Sequence, residues 1–177
     1  MRLFVAIALP DAIAASLERL QGGVPGAHWI SRNRMHLTLR FIGEVDGLQA
    51  TAIDDALKTV SAPPFQLALH GVGQFGKRNP AALWAGVETN GELAHLQRKI
   101  ESALQRSGLP PEARKYTPHV TLARLKGAPR GRVMDYLTDH ALFAAPPFTV
   151  EGFVLYSNTL SAGGSVYRAE QAYRLRL

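Results

Sequence analysis

Two histidines, each followed two positions later by a threonine, carry the chemistry this sequence can do. His36-Leu37-Thr38-Leu39 and His119-Val120-Thr121-Leu122 are one short pattern written twice. Histidine is the side chain whose charge changes near neutral pH. A neutral imidazole takes a proton while a cationic one gives one, so a pair suffices for acid–base work. Two threonine hydroxyls beside them can donate hydrogen bonds to the non-bridging oxygens of a phosphate as negative charge develops. Cleavage of a phosphodiester fits this set. One histidine activates water or a ribose hydroxyl, and the other protonates the leaving oxygen. The set calls for no metal, and no Asp or Glu recurs beside the motifs to complete a ligand shell.

Such residues act together only if the backbone turns them to one side. Both copies lie in runs suited to strands, Met35 to Ile42 and Val120 to Leu125. In a strand, residues i and i+2 share a face and lie roughly 6.5 to 7 Å apart. His36 and Thr38 therefore share one face, and Leu37 and Leu39 the other. His119 and Thr121 repeat this against Val120 and Leu122. One short motif is weak evidence of anything; two in the same strand context are much stronger. The alternative is a pair of satisfied core histidines, with ordinary strand threonines beside them.

The remaining elements repeat as well. A strand from Arg2 to Leu9 leads to a helix from Pro10 to about Leu20, with Pro in the first turn. The first motif strand, a helix from about Leu48 to Val60 and a strand from Phe65 to Val72 follow. After a loop from Gly73 to Pro80 the order recurs. A strand from Ala82 to Val87 precedes a helix from Asn90 or Gly91 to Ser107, with Leu93, Leu96, Ile100 and Leu104 on its core face. Then come the second motif strand, a helix from Arg130 to about Leu142, and strands from Phe148 to Tyr156 and Val166 to Leu175. The expectation is an α+β fold built by internal duplication, with a period near the His36–His119 spacing. It is one bilobal domain over 1–177, with lobes near 1–75 and 76–177 that can exchange strands. Each lobe has an antiparallel-type sheet with helices, and the cleft lies between them.

Composition sets bounds on this reading. The chain has 177 residues, 46% of them hydrophobic, enough for a packed core. It contains no cysteine, so disulfides and thiolate metal sites are excluded and a reducing cytoplasm is the expected location. No apolar run is long enough to span a membrane. The opening MRLFVAIALPDAI reads as a strand and not as a signal peptide. The net charge of +6 favours an anionic partner such as nucleic acid, although many basic proteins have none.

Taken with their flanks, the motifs resemble those of the two-histidine (2H) phosphoesterase superfamily. Arg34-Met35-His36-Leu37-Thr38-Leu39-Arg40-Phe41-Ile42-Gly43 and Tyr116-Thr117-Pro118-His119-Val120-Thr121-Leu122-Ala123-Arg124 are most similar to its RNA 2',3'-cyclic phosphodiesterase branch, also called 2'-5' RNA ligase. The resemblance covers essentially the whole chain, from Arg2-Leu3-Phe4-Val5-Ala6-Ile7 onward. It implies a bilobal fold and opening of a cyclic phosphate to a 2'-phosphomonoester, without metal or cofactor. It also implies His36 as proton donor, His119 as proton acceptor, and Thr38 and Thr121 as phosphate ligands. The chemistry of the residues alone does not assign the two histidine roles.

Beyond the motifs, Arg40, Arg124 and Arg130 are candidate phosphate or RNA contacts. Phe41 and Tyr116 are candidates for stacking on a base, with core packing as the competing role. Gly43 reads as a backbone requirement at the strand's end. His28, His70, His95 and His140 match no motif. The expected partner is RNA with a 2',3'-cyclic phosphate end, handled by a monomer. The alternatives are a small nucleotide, such as a cyclic phosphate or a 2'-5' oligonucleotide, and a non-catalytic RNA-binding module. An RNA-binding sheet usually presents aromatic platforms, whereas the repeated polar face here presents His and Thr.

Overall fold

Helix starts and strand ends fall where the punctuating residues stand. The computed structural model describes residues 1–177. In order it contains β1 (Arg2–Ala8), α1 (Asp11–Glu18), β2 (Ala27–Trp29), a 3-10 turn at Arg32–Arg34, β3 (His36–Glu44), α2 (Gly47–Leu57), β4 (Phe65–Leu67) and β5 (Leu69–Phe75). There follow β6 (Ala82–Val87), α3 (Gly91–Arg106), β7 (His119–Leu125), α4 (Arg130–Asp139), β8 (Phe148–Val150), β9 (Gly152–Ser161) and β10 (Gly164–Arg174). Asp46 and Gln49 close a reciprocal capping box on α2, and Asn90 accepts from the Leu93 amide at the start of α3. The expected core face of α3 is fully buried at Leu93, Leu96, Ile100 and Leu104. Gly43 adopts φ +90°, the left-handed backbone that only glycine takes readily.

Two expected strands are each cut in two. The run from Phe65 becomes β4, which pairs with β8 in a small separate sheet, and β5, which pairs with β6. β5 also continues through Phe75, where a loop was expected from Gly73. The run from Phe148 divides likewise, into β8 and β9. Alternation continues through the first break, so hydrophobic period alone does not reveal it; at the second, the buried positions shift from Phe148 and Val150 to Phe153 and Leu155.

The main sheet runs β10-β9-β1-β3-β7-β6-β5, with β2 also on β7, and every pairing in it is antiparallel. The two motif strands meet at its middle through the single pair Leu37–Val120. Chain order and spatial order differ on either side of that seam. β2 and β5, from the first 75 residues, join β6 and β7. The last strands, β9 and β10, complete the side built on β1 and β3. Leu37, Leu39, Val120 and Leu122 point into one core with the buried faces of the helices, leaving the opposite face of the seam open.

One irregularity occurs in both motif strands at the same place. Ala6 pairs with Thr38 and Val5 with Arg40, so Leu39 is an extra residue in β3. Trp84 pairs with Thr121 and Leu83 with Ala123, so Leu122 is an extra residue in β7. Each bulge reverses the in–out alternation from that point on.

Candidate active site

The seam sets the geometry. β3 and β7 are antiparallel, so stepping one residue either way from Leu37–Val120 puts His36 opposite Thr121 and Thr38 opposite His119. Each histidine thus stands across from the threonine of the other motif. All four side chains line one cleft of about 570 Å³.

Both imidazoles are held the same way. His36 Nδ1 lies 2.8 Å from the Arg34 carbonyl, and His119 Nδ1 lies 2.7 Å from the Thr117 carbonyl. A carbonyl only accepts, so each Nδ1–H donates, and Nε2 is left for the substrate. The surroundings are less alike. Phe4 packs on His36 at 4.8 Å between ring centroids, and Tyr167 meets it edge-on at 5.4 Å. Phe75 meets His119 edge-on at 4.8 Å.

Burial pushes His36 below its ordinary value of 6.5; the Arg34 carbonyl opposes this, and the neighbouring His119 adds to it. The unfolded chain therefore takes up this proton at a higher pH than the fold does. The contribution to stability is complete above 6.5 and is lost as pH falls toward the lowered value. An anion between the imidazoles reverses the balance, because it favours charged His36. Anion binding should then take up a proton and tighten as pH falls through this range. Sulfate, which does not titrate near neutrality, is the probe. Calorimetric titrations from about pH 7.5 to about pH 5.5 should show rising affinity and proton uptake. Affinity independent of pH would contradict this account of His36.

The other expected contacts divide sharply. Arg124 and Phe41 line the cleft. Each stands two residues past a bulge residue, so the reversed alternation returns it to the His–Thr face. Arg40 is a correction. The Leu39 bulge turns it to the helix side, where it is buried and ion-paired to Glu101 at 2.6 Å. Its guanidinium is taken up there, and it lines no part of the His–Thr cleft. Arg130 is a second correction: it opens α4, exposed, and lines no part of the cleft. Tyr116 is part-buried, and its hydroxyl donates to the Thr38 carbonyl at 2.9 Å, which fixes β3. Burial pushes its hydroxyl well above the ordinary phenol value. Among the unmatched histidines, His140 packs on Tyr136 and none of the four lines the cleft.

The structure adds lining residues that sequence reasoning missed: Arg2, Arg34, Arg114, Phe4, Phe75, Asn158 and Tyr167. Arg34 had a signal, since it stands in the flank of the first motif, two residues before His36. Its guanidinium donates to the Ser165 carbonyl at 3.3 Å and lies 5.9 Å from the centre of the Tyr167 ring. Tyr167 had none, because it arrives on the far C-terminal hairpin. Four arginines and no carboxylate face the cleft, so its field is positive and suits an anion. No group of three or more His, Cys, Asp or Glu side chains converges anywhere in the chain. No helix is long and apolar enough to cross a membrane.

Residues 9–161, which include both motifs, match the family model of the 2'-5' RNA ligase superfamily. The chain belongs to that superfamily. Within it, an RNA 2',3'-cyclic phosphodiesterase of Thermotoga maritima is 31% identical over 175 residues, covering 95% of this chain and 92% of the relative. Among solved structures, apo LigT of E. coli superposes with a TM-score of 0.82 at 25% identity, over 99% of this chain and 98% of that one. TT0787 of Thermus thermophilus gives 0.83 at 26% identity, with the same coverage. The resemblance read from the motifs and the α+β class are thus borne out, and the superfamily is matched along nearly the whole length.

Proposed function

We infer that this chain hydrolyses the 2',3'-cyclic phosphate at an RNA end to a 2'-phosphomonoester. The observation that carries this is the seam register, which faces each anchored imidazole with the other motif's hydroxyl in a single arginine-lined cleft. The name borne by the Thermotoga maritima relative supports the same substrate.

In this reading the cyclic phosphate sits between the imidazoles, and Thr38 and Thr121 donate to its non-bridging oxygens. His119 Nε2 takes a proton from water. The water oxygen bonds to phosphorus, the bond from phosphorus to the 3' oxygen breaks, and that oxygen takes the proton on His36 Nε2. The family resemblance supplies this direction. Burial lowers the His36 pKa, and a bound phosphate's charge opposes that and loads His36 with its proton. With a ribose 5' hydroxyl in place of water, the same steps form a 2'-5' linkage. Arg124 and Phe41 are assigned to substrate, and Tyr116 to holding β3. We take 1–177 as one bilobal domain from an internal duplication, working as a cytoplasmic monomer.

The test is product analysis on an oligonucleotide ending in a 2',3'-cyclic phosphate, with EDTA present. A 2'-phosphate end is expected. A 3'-phosphate end would reverse the leaving group, and activity that appears only with added metal would overturn the mechanism. Absence of product with or without metal would remove the proposed substrate.

A further inference from the structure

A second cleft, of about 470 Å³, opens beside the first and shares Thr38, Phe41, Phe75, Arg114 and His119 with it. It differs in a way that bears on chemistry: His119 lines it, and His36 does not. Its own walls are Gln97 of α3 and the segment Lys115–Thr117 leading into β7.

Displacement at phosphorus sets the attacking and leaving oxygens roughly in line, on opposite sides. His36 serves the leaving 3' oxygen in the reading above, so the nucleophile enters from the side of His119. The second cleft lies on that side. One water occupies about 30 Å³ of liquid, far less than this space. Phe41 and Phe75 are 56% and 38% exposed, and both are available for a base to stack upon. Arg114 is taken up by Glu112 at 3.6 Å. Exposed Lys115 has no ion pair or hydrogen bond, which leaves it free for a phosphate.

Resting on the function inferred above, we propose that the second cleft is an acceptor subsite for the nucleotide whose 5' oxygen lies on the nucleophile's side of the phosphate. In the forward step the 5' hydroxyl gives its proton to His119, its oxygen bonds to phosphorus, and the bond to the 3' oxygen breaks. The 3' oxygen takes the proton from His36, and the product is a 2'-5' phosphodiester. In reverse, the 3' hydroxyl attacks and the 5' oxygen leaves with the proton from His119. The next phosphate along the acceptor lies against Lys115.

Two substrates separate the clefts. A nucleoside 2',3'-cyclic phosphate fills the first alone. A 2'-5'-linked dinucleotide with a 3'-terminal phosphate spans both. Lys115→Glu should lower kcat/KM for the dinucleotide about 10-fold or more, and leave the cyclic mononucleotide within about 2-fold of wild type. Equal losses on both substrates, or no loss on the dinucleotide, would overturn the subsite. Selective loss on the dinucleotide without any turnover of the cyclic mononucleotide would sink the hydrolytic reading and keep the subsite. If neither is turned over, calorimetric affinity for the dinucleotide decides, and an unchanged Kd in Lys115→Glu rejects the proposal.

Discussion

Turnover of a cyclic-phosphate RNA end falls by roughly 10²- to 10⁴-fold when either His36 or His119 becomes alanine. The size follows from what each imidazole does. Nδ1 is held by a carbonyl two residues upstream, so Nε2 is fixed in place before substrate arrives. Alanine removes the proton carrier and leaves the anchor unused. Neither variant should lose its fold, because the seam is set by Leu37 and Val120, which stay buried. Affinity for a 2'-phosphate product should change little, since four arginines line the cleft and the threonines donate to the phosphate. The double variant should cost about as much as one single, because half of an acid–base pair does little alone. Single-turnover rates and product affinity on the three variants check this. A loss of binding with unchanged turnover of bound substrate would point to a binding module and end the catalytic account.

The second large effect is on stability, and it comes from the arginine that is turned away from the His–Thr cleft. Arg40 Nε donates to Glu101 Oε2 at 2.6 Å, Nη2 to the Pro110 carbonyl at 2.6 Å, and Nη1 to the Phe41 carbonyl. Glu101 in turn accepts from the Glu112 amide at 2.9 Å and from Gln105. These bonds tie the motif strand β3 to α3 and to the segment that walls the second cleft. Glu101→Ala strands a buried guanidinium, and the expected loss is about 3–5 kcal/mol. Replacing both partners, Arg40→Met with Glu101→Leu, should be far milder, because no charge is left unpaired. Urea unfolding of the two variants makes the comparison. A double variant as unstable as Glu101→Ala would refute the ion-pair account.

The same pair predicts an acid limb. Burial alone would raise the Glu101 carboxyl, but hydrogen bonds from Arg40, the Glu112 amide and Gln105 hold it below its ordinary 4.5. Its contribution is therefore present above 4.5 and lost as pH falls through the lower folded value. Glu101→Gln should flatten that part of the stability curve.

The parts of the site legible in the sequence were those that depend on local period. Alternation put His36 with Thr38 and His119 with Thr121, and helical spacing gave the buried face of α3. What alternation cannot report is its own interruption. The extra residues Leu39 and Leu122 exchange the faces of everything after them, so Arg40 went inward and Phe41 outward. A buried arginine directly before an exposed phenylalanine runs against composition, and only the pairing register shows it. Partners from distant strands were equally hidden. Phe75, from a stretch read as loop, walls His119, and Tyr167 walls His36 from 131 positions along the chain; neither has a local cue.

β1 lies between β9 and β3, and Leu3 through Ile7 are buried on both faces. A ribosome delivers β1 first and β9 and β10 last. Until β9 emerges, β1 presents a bare apolar edge, and such edges invite pairing with other chains. The side made of β2, β5, β6 and β7 has all its strands once Leu125 has emerged, whereas the side built on β1 and β3 closes only when β9 and β10 arrive. A stop codon that removes only the terminal hairpin, far from both histidines in sequence, would take away the neighbour of β1 and one wall of the His36 imidazole at the same stroke.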